Sequence, residues 1–231
     1  MRLTFLATIV DPCMMTAMQA TTVDAQSIPS PYTFIDRKQE AGPYVGYMSA
    51  STGRFGYGPK GGLMLGGRWG LELSGPVSVE GVVGVLDGER DVIDPARAEG
   101  QRVIGQADVL LSMFDARLKF SFPGSRAWHS LSPFIVLGGG VAFDLAAESA
   151  LDASLDAADQ FNFGTSFFGT AGAGTRWFLS DAIALRVDGV FSLYKVDTPP
   201  GFSDPVRGFL AVEEGQWLQA LSITVSALIR W

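Results

Sequence analysis

Hydrophobic and polar residues alternate along most of the chain, most regularly over its last fifteen residues, Trp217 to Trp231. Every second residue back from Trp231 is apolar: Ile229, Ala227, Val225, Ile223 and Leu221. The intervening residues are small or polar apart from Leu228, with one charge at Arg230. A period of two predicts a β-strand, and about ten residues is the length that a tilted strand needs to cross hydrocarbon. The period alone leaves open whether the apolar face meets lipid or a protein core.

The same alternation predicts eight strands. They cover Pro43–Ser51, Gly61–Leu73, Val77–Leu86, Ile104–Phe122, Leu131–Leu145, Phe163–Leu179, Ala182–Val196 and Trp217–Trp231. Short connections are predicted at 74–76, 123–130 and 180–181, and long ones at 87–103, 146–162 and 197–216. An even strand count lets an up-and-down barrel close, and short turns at one rim with long loops at the other are typical of transmembrane barrels. We therefore predict an all-β fold, an eight-stranded antiparallel up-and-down transmembrane β-barrel.

Composition supports a membrane barrel over other classes. The 231 residues are 47% hydrophobic and 18% charged, with 28 glycines and a mean hydropathy of +0.22. Outside the N-terminus no stretch of about twenty residues is continuously apolar, which excludes a bundle of membrane helices. With one cysteine, Cys13, and one histidine, His129, the chain lacks an internal disulfide and a Cys/His metal site. We expect no cofactor.

The first 25 residues predict an export signal. Arg2 gives a positive start, residues 3–10 are an apolar run, and Val23-Asp24-Ala25 is a candidate cleavage site. Asp11 and Pro12 interrupt the apolar core, so a mis-assigned start is the alternative. The predicted domains are a signal peptide at 1–25, a periplasmic lead-in at 26–41 and the transmembrane barrel at 42–231.

Each predicted strand has one large apolar face and one face with small residues and a few charges. Side chains nearly fill the lumen of an eight-stranded barrel, and charges buried there must be paired. We predict a lumen charge network of Arg68, Glu72, Glu80, Asp115, Arg117, Lys119, Arg176, Arg186 and Asp188. The sequence leaves open which residues pair. Aromatic girdles at the two membrane interfaces are predicted at Trp69, Trp177, Trp217, Trp231 and Tyr47.

The chain resembles the small outer-membrane β-barrel proteins of the OmpA and OmpX type over roughly residues 42 to 231. Its ending, Thr224-x-Ser226-x-x-Ile229-x-Trp231, resembles the C-terminal signal read by the barrel-assembly machinery. Ser226 stands in place of the usual glycine, and Trp231 in place of the commoner phenylalanine. The resemblance implies the cell outer membrane as location. It implies outer-membrane lipid, lipopolysaccharide and the assembly machinery as partners, and no single activity.

Catalytic chemistry has little support in the sequence. Some barrels of this size act on lipid A, and a deacylase of that kind resembles a His-x-Ser arrangement, but Leu131 stands where that serine would follow His129. His129 also falls in a turn predicted on the periplasmic side. We expect no enzyme, with a lipid A-modifying activity as the alternative. An acidic chain of net charge −7 without a basic stripe excludes nucleic-acid binding.

The long loops are the candidates for contact with an extracellular partner, at 87–103, 146–162 and 197–216. They are rich in Asp and Glu, which predicts either divalent-cation bridging to lipopolysaccharide or a repulsive, solvated surface. Leu151 and Leu155 predict one or two helical turns. Phe202 and Phe209-Leu210 make the last loop less polar than mobile loops are, so we expect it to fold over the barrel mouth or to touch a partner.

The function predicted from the sequence is that of an outer-membrane barrel with a structural or cell-surface interaction role. A narrow pore for small ions or solutes is the first alternative, and it requires an open path past the lumen charges. A soluble, periplasmic, lipocalin-like ligand-binding barrel is the second, and it requires the apolar face to point inward.

Overall fold

The computed structural model describes residues 30–231, so the predicted signal peptide and the start of the lead-in lie outside the described residues. The strands are β1 (Tyr32–Phe34), β2 (Gln39–Ala50), β3 (Pro59–Ser74), β4 (Val77–Ile93), β5 (Val103–Ser121), β6 (Arg126–Trp128), β7 (Leu131–Asp144), β8 (Thr165–Phe178), β9 (Ile183–Asp197) and β10 (Gly215–Arg230). Three short 3₁₀ turns lie in loops, at Asp152–Ser154, Pro200–Ser203 and Pro205–Arg207.

The eight long strands close into a barrel. Each pairs antiparallel with the next, in the order β2, β3, β4, β5, β7, β8, β9 and β10, and β10 returns to pair with β2. This confirms the predicted eight-stranded antiparallel barrel. The short β1 and β6 pair beside it. His129 and Ser130 join β6 to β7 with φ of 47° and 65°, the left-handed conformation that a two-residue hairpin turn of type I′ requires at both positions.

The connections sort by length between the two ends of the barrel. Residues 75–76, 122–130 and 179–182 lie at one end, hereafter the turn end, and residues 51–58, 94–102, 145–164 and 198–214 lie at the other, hereafter the loop end. At the turn end, Trp231 and Gln39 exchange two backbone hydrogen bonds of 3.1 Å, so the last residue completes the β2–β10 ladder.

Two predicted boundaries were wrong. β2 begins at Gln39, inside the predicted lead-in, and β4 runs to Ile93 instead of ending at Leu86. Residues 87–93 remain paired with β5, with Arg90 and Val92 buried and Glu89 exposed. Because acidic residues replace apolar ones on the outer face here, the alternation loses its hydrophobic contrast while the strand itself continues. The loop between β4 and β5 is therefore residues 94–102.

The outer face of the barrel is apolar. Large hydrophobic side chains point outward from each of the eight long strands, for example Val45, Leu65, Val83, Leu118, Ile135, Phe167, Val187 and Ile223. The predicted girdle residues Trp69, Trp177, Trp217, Trp231 and Tyr47 are all exposed on this surface. In the described part of the chain, no helix is long and apolar enough to cross a membrane. An apolar exterior on this scale is stable only in lipid, so the barrel spans a membrane with its strands.

Inward-facing glycines leave room for large side chains in the lumen. A Cβ built on Gly84 would collide with the hydroxyl of Tyr44, and one on Gly174 would lie 2.7 Å from the ring of Phe134. Tyr44 in turn packs under the guanidinium of Arg68, at 5.1 Å, and Phe134 under that of Arg186, at 4.4 Å. Part of the glycine surplus therefore serves the packing of the lumen.

Substitution of Ile223 by arginine tests the lipid-facing assignment. Ile223 is exposed near the middle of β10, where a charge facing lipid costs about 2–4 kcal/mol. Gln219→Arg is the matched control, because Gln219 is exposed on the same face of β10, closer to the loop end, where the expected cost is roughly 0–1 kcal/mol. Urea unfolding from lipid vesicles measures both. An equal, small cost at the two positions would contradict the assignment.

Candidate functional site

The lumen contains a network of buried ion pairs centred on Arg186. Its guanidinium donates to both carboxylate oxygens of Glu80 and, through Nε, to Oδ1 of Asp188 at 3.0 Å. Asp188 Oδ1 also accepts from Arg68 Nη1 at 2.9 Å, and Arg68 Nη2 donates to Thr224 Oγ1 at 2.9 Å. The two-pronged contact with Glu80 is the strongest ion-pair geometry that arginine makes. Side chains from four strands are thereby locked together across the barrel.

A second group of charges lies nearer the turn end. Glu40 on β2 accepts hydrogen bonds from Lys119 on β5 and from Arg176 on β8, the latter at 2.9 Å. Arg176 also donates to the hydroxyls of Ser121 and Ser132, at 3.1 and 3.3 Å. Lys119 lies 3.7 Å from Glu80, so the two groups of charges form one continuous network.

Asp115 and Arg117 complete the network. Arg117 Nε donates to Asp115 Oδ2 at 2.5 Å, and its Nη1 lies 3.8 Å from Asp188 and 4.0 Å from Glu80. Five cationic side chains thus face the four carboxylates of Glu40, Glu80, Asp115 and Asp188. Near-balance of charge keeps the group stable away from water.

Eight of the nine residues predicted for the lumen network come together in this way, and Glu72 does not. Glu72 is half-buried at the end of β3, where it accepts a hydrogen bond from Ser125 at 2.7 Å. Glu72 lies two residues before the end of β3 and pairs with Ser78, so its side chain lies at the rim of the turn end. Glu40 takes its place in the lumen. The sequence analysis misses Glu40 because it assigns residues 26–41 to the lead-in. Glu40, Gly42 and Tyr44 nevertheless continue the inward alternation of β2.

The half of the lumen nearer the loop end is closed by aromatic side chains. Six of them form what we call the aromatic plug, namely Phe55, Tyr57, Phe161, Phe163, Phe202 and Phe209, contributed by three loops. Tyr57 and Phe202 are each 1% exposed. Their rings lie 5.2 Å apart, and Tyr57 lies 4.7 Å from Phe161, spacings at which each aromatic pair stabilises the cluster by about 0.5–1.5 kcal/mol.

Polar contacts hold the plug in position. The Tyr57 hydroxyl donates to Thr198 Oγ1 at 3.3 Å and accepts from Gln216 Nε2 at 2.6 Å, and burial raises the pKa of this phenol. Arg207 donates to Asp159 at 2.5 Å, which ties the last loop to the loop before it. The expectation that the last loop folds over the barrel mouth matches the burial of Phe202 and Phe209, whereas Leu210 is exposed. Near Leu151 the chain forms only one 3₁₀ turn, Asp152–Ser154.

His129 is the only histidine of the chain and lies at the turn end of the barrel. His129 is exposed in the β6–β7 turn, where its ring packs edge-on against Trp128 and its backbone N–H donates to Pro31. Within residues 30–231 no carboxylate lies within salt-bridge distance of His129. No group of three His, Cys, Asp or Glu side chains in that range could hold a metal ion.

The four residues of the predicted assembly signal divide between the two faces of β10. Thr224 and Ser226 are buried in the lumen, whereas Ile229 and Trp231 are exposed on the outer surface. Thr224 Oγ1 also donates to Asp188 at 3.2 Å. Of these four residues, only Ile229 and Trp231 are accessible from outside the folded barrel.

No protein-family model matches the chain, and no curated protein matches it. Among solved structures, it is similar to the outer membrane protein OprG from Pseudomonas aeruginosa, with a TM-score of 0.54 and 13% identity, over 84% of this chain and 96% of OprG. The chain has the fold of an outer-membrane barrel. Neisserial surface protein A also matches, with a TM-score of 0.47 and 11% identity, over 87% of this chain and 98% of that one.

Replacement of Arg186 by methionine tests the network. Glu80 would lose its two-pronged partner and Asp188 one of its donors, and breaking a buried ion pair from one side costs about 3–5 kcal/mol. The control is Lys38→Met, since Lys38 is exposed and its side chain forms no ion pair or hydrogen bond among residues 30–231; we expect a change within about 0.5 kcal/mol. Urea unfolding in detergent micelles measures both variants.

The double variant Glu80→Gln, Arg186→Met should lose less stability than the sum of the two single variants, because it leaves no carboxylate facing an absent cation. Strict additivity would show that Glu80 and Arg186 are not coupled, and would contradict the network.

Proposed function

We propose that this protein resides in the cell outer membrane and acts through its loops, as a structural or surface-interaction protein, and not as a channel or an enzyme. The apolar outer face, the lengths of the connections and the OprG-like fold support the location. By the rule for such barrels, the turn end faces the periplasm and the loop end faces the outside.

The observation that carries the proposal is the double closure of the lumen. Ions or solutes would have to pass the aromatic plug and then the network around Arg186, whose side chain is completely buried. Opening the network would leave charges unpaired in a space with little room for water, at a cost of several kcal/mol. A barrel closed at two levels is suited to presenting its loops on a rigid support.

Single-channel recording in planar lipid bilayers tests the closed lumen. We expect no steady conductance steps from the wild-type barrel, and none from the Phe202→Ser, Phe209→Ser variant, because the charge network still blocks the path below the plug. Steady wild-type steps whose ion preference changes in Arg186→Gln would establish a pore through the lumen and overturn the proposal.

Heat-modifiable mobility on gels supplies the matching control for these recordings. A closed barrel keeps its faster migration in detergent until it is boiled, so each sample can be shown to be folded before its conductance is measured. Partition into the outer membrane on cell fractionation tests the location separately. A detergent-free soluble protein would favour the lipocalin-like alternative.

We further propose that Ile229 and Trp231 form the outward half of the assembly signal. In cells, Trp231→Ala should lower the amount of heat-modifiable barrel in the outer membrane. Trp177→Ala is the control, since Trp177 is a comparably exposed tryptophan near the same end, on β8. The purified Trp231→Ala chain should still refold into detergent. Equal losses for the two variants in cells would contradict a special role for Trp231.

A further inference from the structure

One strand of the barrel wall has a free edge at the loop end. β5 pairs with β4 as far as Val103, but its pairing with β7 stops at Leu111 and Asp144. Beyond that point Leu110 O still accepts a hydrogen bond from Leu145 N at 2.8 Å. The segment of β5 from Leu110 back to Val103 therefore has a neighbouring strand on one side only.

The direction of the backbone groups on this segment follows from the ladder. Leu110 directs its C=O toward the β7 side, and Phe122 directs its N–H to Pro133 on the same side. Because backbone groups alternate along a strand, Gln106 and Asp108 also direct their N–H and C=O groups to that side. In the described chain, no backbone hydrogen bond joins either residue to the 145–164 loop.

A cavity of about 390 Å³ lies against this edge. The 145–164 loop forms its opposite wall. The lining includes Ala107 and Asp108 of β5, Asp144, Glu148, and the buried side chains of Arg90 and Asp152. The cavity therefore borders the unpaired edge of β5 at Ala107 and Asp108 and reaches inward to Phe161 and Phe163 of the aromatic plug.

Arg90 and Asp152 form an ion pair with unused hydrogen-bonding capacity. The two residues are 8% and 4% exposed, and Arg90 Nη2 lies 2.5 Å from Asp152 Oδ2. Arg90 Nη1 and Asp152 Oδ1 are buried and have no hydrogen-bond partner. A buried donor or acceptor without a partner is unfavourable. An unpartnered donor and an unpartnered acceptor on residues of the cavity lining are complementary to the C=O and N–H groups of a peptide.

Charge selects among peptides. The cavity lining carries the carboxylates of Asp108, Asp144, Glu148 and Asp152 against the single cation of Arg90. An occupant with lysine or arginine side chains is favoured by this imbalance.

We propose that this cavity binds an extended, basic peptide segment of a partner protein, which adds to the free edge of β5 as a further strand. The backbone of the peptide pairs with Gln106 and Asp108, its nearest peptide unit satisfies Arg90 and Asp152, and its cationic side chains face Asp108 and Glu148. Strand addition of this kind derives affinity from backbone hydrogen bonds and specificity from alternate side chains. The inference names a partner class for the surface-interaction role proposed above, and rests on it.

Fluorescence anisotropy on the folded barrel in lipid nanodiscs tests the proposal. The probe is a labelled peptide of roughly ten residues, a strand length, in which lysine alternates with threonine and valine. Two matched peptides serve as controls, one with glutamate for every lysine and one with proline for every valine, which removes backbone donors. We expect binding of the first peptide only. Equal binding of the proline peptide would overturn strand addition, and equal binding of the glutamate peptide would overturn the charge preference.

Variants of the edge make the test specific. Gln106→Pro removes an N–H that makes no bond within the barrel, and should weaken the lysine peptide about tenfold, as expected for lost edge hydrogen bonds. Gln106→Ala keeps the N–H and should bind as the wild type does. Should Gln106→Pro not fold, Asp108→Asn with Glu148→Gln provides the second variant, with an expected loss of roughly fivefold that diminishes with salt. Unchanged binding in the folded variants would overturn the site.

The same samples separate this inference from the proposed function. A folded, non-conducting barrel that binds none of the peptides would refute the peptide site alone, whereas a conducting barrel would refute the closed-lumen function whatever the peptides do. A barrel dimer that Gln106→Pro abolishes would show that the edge takes a second copy of this chain, and would overturn a peptide partner.

Discussion

Charge compensation in a narrow, closed space is the constraint on which this barrel depends. Eight strands enclose a lumen that side chains almost fill, so a charge placed there is separated from bulk water. Arg186 is completely buried and is stable only because Glu80 and Asp188 meet its donors. Because Glu80 lies on β4 and Arg186 on β9, their ion pair cross-links two strands that are far apart in sequence.

The same constraint assigns different tasks to the two ends of the lumen. Charged side chains in the half nearer the turn end pair with one another, as in the contact of Arg176 with Glu40. In the half nearer the loop end, the lumen is lined by apolar groups such as Leu86 and Val109, and the aromatic plug covers them. Since the plug is formed by loops that pack inward, the outward parts of those loops are held in position by the packed aromatic side chains.

The sequence was sufficient for the strand count, the outward face and most of the lumen residues, because these depend on alternation within one strand. It was insufficient where the outcome depends on partners in other strands. Glu40 and Glu72 both continue an inward alternation, yet only Glu40 reaches Lys119 and Arg176, since the stagger between strands places Glu72 at the rim. The pairing of Arg186 with Glu80, 106 positions away, is a property of barrel closure and leaves no local signal.

The strands extend to different heights at the loop end. The sequence does not reveal this, for the same reason that it does not reveal the end of β4. Above the apolar belt, the outer residues of β4 and β5 become charged, as at Glu89 and Asp108, while the ladder between the two strands continues. β7 stops at Asp144, and the chain then turns inward to supply Phe161 to the plug. Because the 145–164 loop packs into the mouth of the barrel, it does not continue along the wall. The edge of β5 is therefore left without a neighbouring strand. The features that close the lumen therefore also create the place where the barrel can recruit another chain.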